Sequence, residues 1–300
     1  MIETMREIVG ASKVFSKEPM SKHTTFRIGG EADLLIEPKT VDEIKAVISA
    51  LTKSHTPYMI VGNGSNLLVS DKGFRGAVVK LGNEFAAASA NGTILTAQSG
   101  IKLSRLANLA LEEELTGLEF AAGIPGTLGG AIYMNAGAYG GEMDQVIQEV
   151  TYLDSDGNVK TIQGTECEFG YRTSIFTKHP DWVILGCKIG LKQGNGKEIR
   201  ALMDDLAERR ISKQPLNFPS AGSTFKRPTG YFAGKLIQDA GLMGVRVGGA
   251  CVSEKHAGFV VNDKGATAED VRALIQKVQD EVKAQFGVEL EPEVKFVGEF

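Results

Sequence analysis

VGNGSNLLVS at residues 61–70 and AAGIPGTLGGAIYMNAG at residues 121–137 each gather small residues and main-chain N–H groups in one place. Glycine lets a backbone approach a ligand closely, and successive N–H groups form an anion-binding concavity. Together the two runs point to a dinucleotide-like cofactor whose phosphates meet main chain, not a lysine cluster. The first run follows the apolar stretch 58–61, so a strand leads directly into the turn. Neither run is a standard fingerprint. A G-x-G-x-x-G would need glycine where Leu67 stands, and a kinase-type phosphate loop would need Lys then Ser or Thr after its last glycine. Taken alone, each run could also be a tight turn in a twisted sheet.

The 300 residues suit two or three domains better than one. A formal charge of −4, with no arginine-rich or lysine-rich block, argues against nucleic acid as the main partner. Residues 1–10 carry acidic side chains where a secretory signal needs a basic flank, and no window approaches the roughly 20 apolar residues of a membrane span. The expectation is a cytoplasmic protein without membrane insertion, a monomer or a weak homodimer. Cys167, Cys187 and Cys251 lie far apart, and His23, His55, His179 and His256 are dispersed. No disulfide framework or metal site is expected from such spacing.

Along the chain, residues 32–38 read as a short strand, and Thr40 with Glu43 as a capping box before the helical row Ile44, Val47, Ile48 and Leu51. Residues 77–81 and 93–98 read as strands. A helix with Leu103, Leu106, Ala107 and Ala110 inward is expected to close at Gly117. Residues 150–153 and 159–162 flank an Asp156-Gly157 hairpin signal, and 182–189 is a further strand. Residues 198–210 form an amphipathic helix with Ile199, Leu202, Met203 and Leu206 inward. Pro215 and Pro219 open a third region. There, 231–240 is helical and stops at Gly241, and 258–262 is a strand. Thr267 caps a long helix ended by Gly287, and the chain after Pro292 alternates like a strand.

Three later segments combine polar residues with glycine or proline: FGYRTSIF (169–176), AGSTFKRP (221–228) and LEPEVKFVG (290–298). Their members Arg172, Ser223 and Glu293 could bind and polarise an anionic substrate while delivering a proton. A serine is an awkward acid, because its alkoxide is unfavourable at neutral pH. It suits a strongly basic developing carbanion, and so the reduction of a carbon–carbon double bond. Spacing alone leaves Ser223 open as a turn hydroxyl, Arg172 as a surface ion pair and Glu293 as a strand-edge charge.

VGNGSNLLV, AGIPGTLGGAIYMNAGAYG, YRTSIF, AGSTFKRP and LEPEVKFVG, in this order along nearly the whole chain, resemble the UDP-N-acetylenolpyruvoylglucosamine reductase (MurB) family. The resemblance implies an α/β (α+β) fold, in which a two-subdomain FAD-binding scaffold of the FAD-linked oxidase type carries a third α+β substrate-binding domain. The expected domains are residues 1–82, to which the strand 289–300 returns, then 83–212 and 213–288. It implies a cytoplasmic flavoenzyme of peptidoglycan synthesis with non-covalent FAD, NADPH as reducing co-substrate and a UDP-sugar substrate. Ser223 is the implied proton donor to C2, with Arg172 and Glu293, the latter protonated or sharing a proton, holding the substrate carboxylate and stabilising the enolic intermediate. The implied FAD contacts are Gly62, Asn63, Gly64, Ser65, Asn66 and Leu67 from the first run, and Gly123, Ile124, Pro125, Gly126, Thr127, Gly129 and Gly130 from the second. Arg27 and Tyr139 are added as weaker contacts. Lys226, Arg227, Lys235 and Gln238 are candidates for the substrate diphosphate and uridine, with His256 standing either near them or simply in a turn. One subgroup covers this site with an inserted tyrosine-bearing loop; the third region is too short for it, so the short-loop subgroup is expected. The alternatives are another FAD-dependent oxidase or dehydrogenase on the same scaffold, or a non-catalytic nucleotide-sugar binder.

Overall fold

Residues 1–300 are described by a computed structural model. The chain divides into two compact units. One is built from Met1–Phe15, Leu34–Asn63 and Ala77–Arg210, the other from Ser16–Asp33, Gly64–Gly76 and Ile211–Phe300. Helix and sheet are mixed in both, in agreement with the α/β reading. No helix is long and apolar enough to cross a membrane.

In the first unit, Thr40 caps helix Val41–Lys53 by accepting from Glu43 N at 3.1 Å. The Glu43 carboxylate accepts from Lys39 N, one residue before the position a full capping box would use. Ile44, Val47, Ile48 and Leu51 recur at helical spacing and are buried, packing with Met5, Val9 and Val79 into one core. Strand Tyr58–Val61 lies parallel to Phe74–Lys80, with Tyr58 opposite Ala77 and Val61 opposite Lys80, and delivers the chain to the first glycine run. A second core lies against a five-stranded antiparallel sheet ordered Val159–Gln163, Ile147–Leu153, Val183–Gly190, Ile94–Gln98 and Ala88–Asn91. Its hairpin turns where the Asp156-Gly157 signal predicts, with Gly157 at φ 78° and Asp154 Oδ1 accepting from the N–H groups of Asp156 and Asn158.

Two expectations fail here. Helix Leu103–Glu112 buries the predicted face but does not run on to Gly117. The chain leaves it at Glu113, Glu114 turns left-handed at φ 53°, and Leu115–Thr116 is already a strand paired with Lys192–Gln193. Three consecutive glutamates are unfavourable at the negative end of a helix dipole. Helix Gly196–Lys213 buries Ile199 and Met203, whereas Leu202 is 45% exposed. At about 100° per residue Leu202 sits about 60° around from Ile199, beyond a narrow apolar stripe.

In the second unit, Arg246–Val247, Ala250–Val252 and Val260–Asn262 form an antiparallel sheet that helix Ala268–Phe286 covers with Val271, Leu274, Ile275, Val278 and Val282. Phe26, Ile28 and Leu68, from the two short segments, belong to the same core. The predicted helix boundaries hold. Thr267 and Asp270 make a full capping box, each side chain accepting the other's N–H at 3.0 Å, and Gly287 ends the helix at φ 68°. Asp71 adds a second cap, accepting from Ala268 N at 2.9 Å and Glu269 N at 3.2 Å. Because Asp71 and Asp270 remain, Thr267→Ala is expected to cost no more than about 1 kcal/mol, read from the urea midpoint. A loss several times larger would mean that the caps act as one network.

Candidate active site

Within the first unit the start of the first glycine run meets the second run. A Cβ on Gly62 would lie 1.9 Å from Thr127 Oγ1, and Asn63 Nδ2 donates to Pro125 O at 2.5 Å. The second run is itself pinned to residues 99–101, since Leu128 N donates to Ile101 O at 2.9 Å and Gly129 N to Ser99 O at 2.8 Å. Leu128, Ala131 and Ile132 of helix Leu128–Tyr133 are buried, while Gly123, Pro125 and Gly130 stay exposed. Ile124, Gly126 and Gly129 are half-buried. The result is a rigid, small-residue surface with accessible main chain. Neither run carries an acidic side chain, and neither carries a histidine or cysteine. Such a donor set fits the pyrophosphate of a dinucleotide, which main-chain N–H groups can receive without charge repulsion.

The second run ends in a left-handed corner, with Asn135 at φ 45° and the exposed Tyr139 at φ 54°. Arg172 is held to this corner. Its Nη1 donates to Asn135 O and its Nη2 to Gly137 O, both at 3.5 Å, and its guanidinium lies 5.1 Å from the centre of the Tyr171 ring. Gly170 and Thr173 exchange two main-chain hydrogen bonds around Tyr171 and Arg172, and Arg172 is itself left-handed at φ 55°. Ser174, fully buried, ties the end of this turn to helix Leu128–Tyr133 by donating to Tyr133 O at 2.7 Å.

Sequence reading missed two residues of this region. Arg210 sits beside the second run, its Cδ 3.2 Å from where a Gly123 Cβ would be, and desolvation holds its guanidinium below the ordinary arginine range. Nothing in the helical pattern of 198–210 marks it. Asn135 had a faint signal: an asparagine before Ala-Gly, where a left-handed residue is tolerated.

In the second unit the other half of the first run is packed as closely. Gly64 adopts φ 61°, and a Cβ there would lie 2.0 Å from His23 O. Thr25 N donates to Gly64 O, and Thr25 Oγ1 to Ser220 O at 2.7 Å. This threads the segment of exposed, left-handed Arg27 along the run. Ser65 and Leu67 are half-buried. Asn66 clamps the Glu293 segment from both sides, with Nδ2 donating to Glu293 O at 3.1 Å and its own carbonyl accepting from Lys295 N at 2.9 Å. Leu67–Val69 then pairs in parallel with Lys295–Val297.

The Glu293 segment and the segment after Ser223 form a short antiparallel ladder in which Glu293 faces Thr224. Glu293 N donates to Thr224 O at 2.8 Å, Phe225 faces Pro292, and Lys226 N donates to Glu291 O at 2.9 Å. Thr224 is buried and fixed on its other edge, donating to Gly258 O and accepting at Oγ1 from Val260 N. Ser223 is exposed, and Gly222 before it is left-handed at φ 75°. Thus Ser223, Glu293 and the run 64–67 share one corner of the second unit, while Arg172 and the run 123–130 belong to the first.

The candidate diphosphate residues are occupied in the fold. Lys226 pairs with Glu291, Lys235 with Asp239, and Arg227 lies 4.6 Å over the Phe232 ring. Lys235 and Gln238 are exposed on helix Ala233–Asp239. His256 packs against the same helix, its Cε1 3.4 Å from where a Gly234 Cβ would be. It accepts at Nδ1 from Gly258 N, and burial lowers its pKa. The three cysteines are buried, which pushes the Cys167 thiol up to about 11 and raises Cys187 and Cys251 as well. No group of histidines, cysteines and carboxylates is arranged to hold a metal ion.

Residues 32–163 match the family model described as an FAD binding domain. Residues 214–297 match that of the UDP-N-acetylenolpyruvoylglucosamine reductase C-terminal domain. The chain is 52% identical over 299 residues to the UDP-N-acetylenolpyruvoylglucosamine reductase of Caldanaerobacter subterraneus subsp. tengcongensis, covering 100% of this chain and 98% of that one. It is 53% identical over 282 residues to the enzyme of the same name from Clostridioides difficile, covering 94% and 92%. The crystal structure of UDP-N-acetylenolpyruvylglucosamine reductase (MurB) from Thermus caldophilus superposes with a TM-score of 0.80 at 33% identity, covering 94% of this chain and 98% of that one. With both domain models matched in order and full-length identity above half, the chain belongs to the UDP-N-acetylenolpyruvoylglucosamine reductase family.

Proposed function

We infer that the chain reduces the enolpyruvyl group of UDP-N-acetylglucosamine-enolpyruvate to give UDP-N-acetylmuramate at the expense of NADPH, a step of peptidoglycan precursor synthesis. The observation that carries this is full-length identity of 52% to a reductase of that name. Bound FAD would supply the two-electron redox chemistry that passes a hydride equivalent from NADPH to C3 of the enolpyruvyl ether.

The chain's own part is to hold the reactants and move a proton. FAD is held without a covalent bond. The residues assigned to it are Gly62, Asn63, Gly64, Ser65, Asn66 and Leu67 of the first run and Gly123, Ile124, Pro125, Gly126, Thr127, Gly129 and Gly130 of the second, with Arg27 and Tyr139. Hydride arrival at C3 develops charge at C2 that spreads into the carboxylate, so electrostatic help there acts on the transition state more than on the ground state. Arg172 holds that carboxylate by charge, Glu293 holds it through a proton carried on or shared with its own carboxyl group, and Ser223 gives its proton to C2. A serine can do this because the developing carbanion is strongly basic. What supports bringing Ser223 and Glu293 to one place is the ladder that sets Thr224, the residue after Ser223, opposite Glu293. Lys226, Arg227, Lys235 and Gln238 are assigned to the diphosphate and uridine, which requires Lys226 and Lys235 to exchange carboxylate partners for phosphate. A reducing cytoplasm suits the three free thiols.

The test is an anaerobic two-step spectrum. NADPH should bleach the oxidised flavin band of the FAD-loaded protein, and UDP-N-acetylglucosamine-enolpyruvate should restore it. Restoration by oxygen but not by the sugar nucleotide would instead make the chain another FAD-dependent oxidase on this scaffold.

A further inference from the structure

Asn135 is 1% exposed and left-handed at φ 45°, and it touches the Arg172 turn twice. Its Nδ2 donates to Gly170 O at 3.2 Å, at the base of the turn, and its main-chain carbonyl accepts from Arg172 Nη1 at 3.5 Å, at the tip. The same amide is committed elsewhere. Nδ2 also reaches Glu142 Oε2 at 3.3 Å, and Oδ1 accepts from Asp144 N at 3.0 Å. A left-handed residue is needed here only to leave helix Leu128–Tyr133, and glycine would serve for that. The side-chain bonds do something further: they lock the corner of the second glycine run to the turn that presents the guanidinium. A buried amide satisfied at both ends has one low-energy orientation, so it fixes the groups it bridges.

We propose that Asn135 is a positioning residue for the enolpyruvyl step, setting where Arg172 meets the substrate carboxylate. This rests on the reading of Arg172 as a carboxylate-holding group. Asn135 touches neither substrate nor cofactor in this role; it acts through the turn from Gly170 to Thr173.

Asn135→Gly keeps the left-handed backbone and removes the three side-chain bonds. Reoxidation by UDP-N-acetylglucosamine-enolpyruvate should slow by about 10- to 100-fold, the range expected when a binding group is misplaced by an ångström or less. Reduction by NADPH and the FAD dissociation constant of the apoprotein should stay within about twofold, which a general loosening of the fold would not allow. Arg172→Ala should slow the same step by itself, and adding Asn135→Gly to it should change the rate by no more than about twofold, because both act through one guanidinium. If Arg172→Ala leaves the sugar-nucleotide step intact, the reading of Arg172 falls. If Arg172→Ala slows it but Asn135→Gly is silent, or the two losses multiply, the role of Asn135 is overturned while that of Arg172 stands. Asn135→Asp, which keeps the acceptor for Asp144 N but turns a carboxylate oxygen toward Gly170 O and Glu142 Oε2, should slow the sugar-nucleotide step at least as much, with reduction by NADPH within the same limit, and serves if the glycine variant does not fold.

Discussion

Ser223→Ala is expected to leave reduction by NADPH near normal and to slow reduction of the sugar nucleotide by more than about 100-fold, which stopped-flow measurement of the two half-reactions would read. The separation follows from where the proton is needed. Hydride delivery from NADPH involves no carbanion, whereas, with Ser223 as the proposed donor, addition at C3 would leave C2 without a proton source once the hydroxyl is gone. Structure gives the substitution a clean background. Ser223 is exposed, and the ladder bonds that hold the segment belong to Thr224 and Lys226. The variant therefore keeps the fold and Glu293 in place. Equal slowing of both half-reactions would remove Ser223 from the proton step.

Gly64→Ala is expected to be the most destabilising single substitution in either glycine run. The backbone is left-handed at φ 61°, and the new Cβ would fall 2.0 Å from His23 O and 3.0 Å from Thr24 Cα, which are main-chain atoms with little freedom to yield. Left-handed alanine costs about 1–2 kcal/mol and overpacking about 1–3 kcal/mol, so a loss of about 2–5 kcal/mol is expected. It should appear as a lower urea midpoint and as protein purified with little flavin. Gly92→Ala is the control. It has a similar φ of 58° but nothing within 4 Å, so it carries only the backbone cost. Equal stability of the two variants would mean that the run is not packed against residues 23–24.

Sequence gave the helices and hairpin where the punctuation is chemical. Thr267 and Gly287 bracket a helix because a hydroxyl can receive an N–H and a glycine can turn left-handed, and both facts are local. It misled at Gly117, where charge at Glu112–Glu114 ended the helix first, and at Leu202, where a helical row was read wider than its partner surface. In the site, motif order singled out Arg172, Ser223 and Glu293, but not what anchors them. The Thr224–Glu293 ladder, the Asn66 clamp and the Asn135 bridge join segments far apart in the chain, and periodicity carries no information about such partners. Arg210 was invisible for a related reason. A charged residue late in an exposed helix looks solvated until its neighbour, Gly123, is known.

The double cap on helix Ala268–Phe286 bears on the order of events during synthesis. Asp71, Phe26, Ile28 and Leu68 are translated long before the helix they cap and pack against. Until residues 211–286 emerge from the ribosome, those apolar side chains lack most of the core they share. Closing such wide separations is slow, because chain entropy is lost before contacts form. The C-terminal helix is thus the late piece that seals this unit. A chain stalled before it would present Phe26 and Leu68 to whatever binds nascent polypeptides.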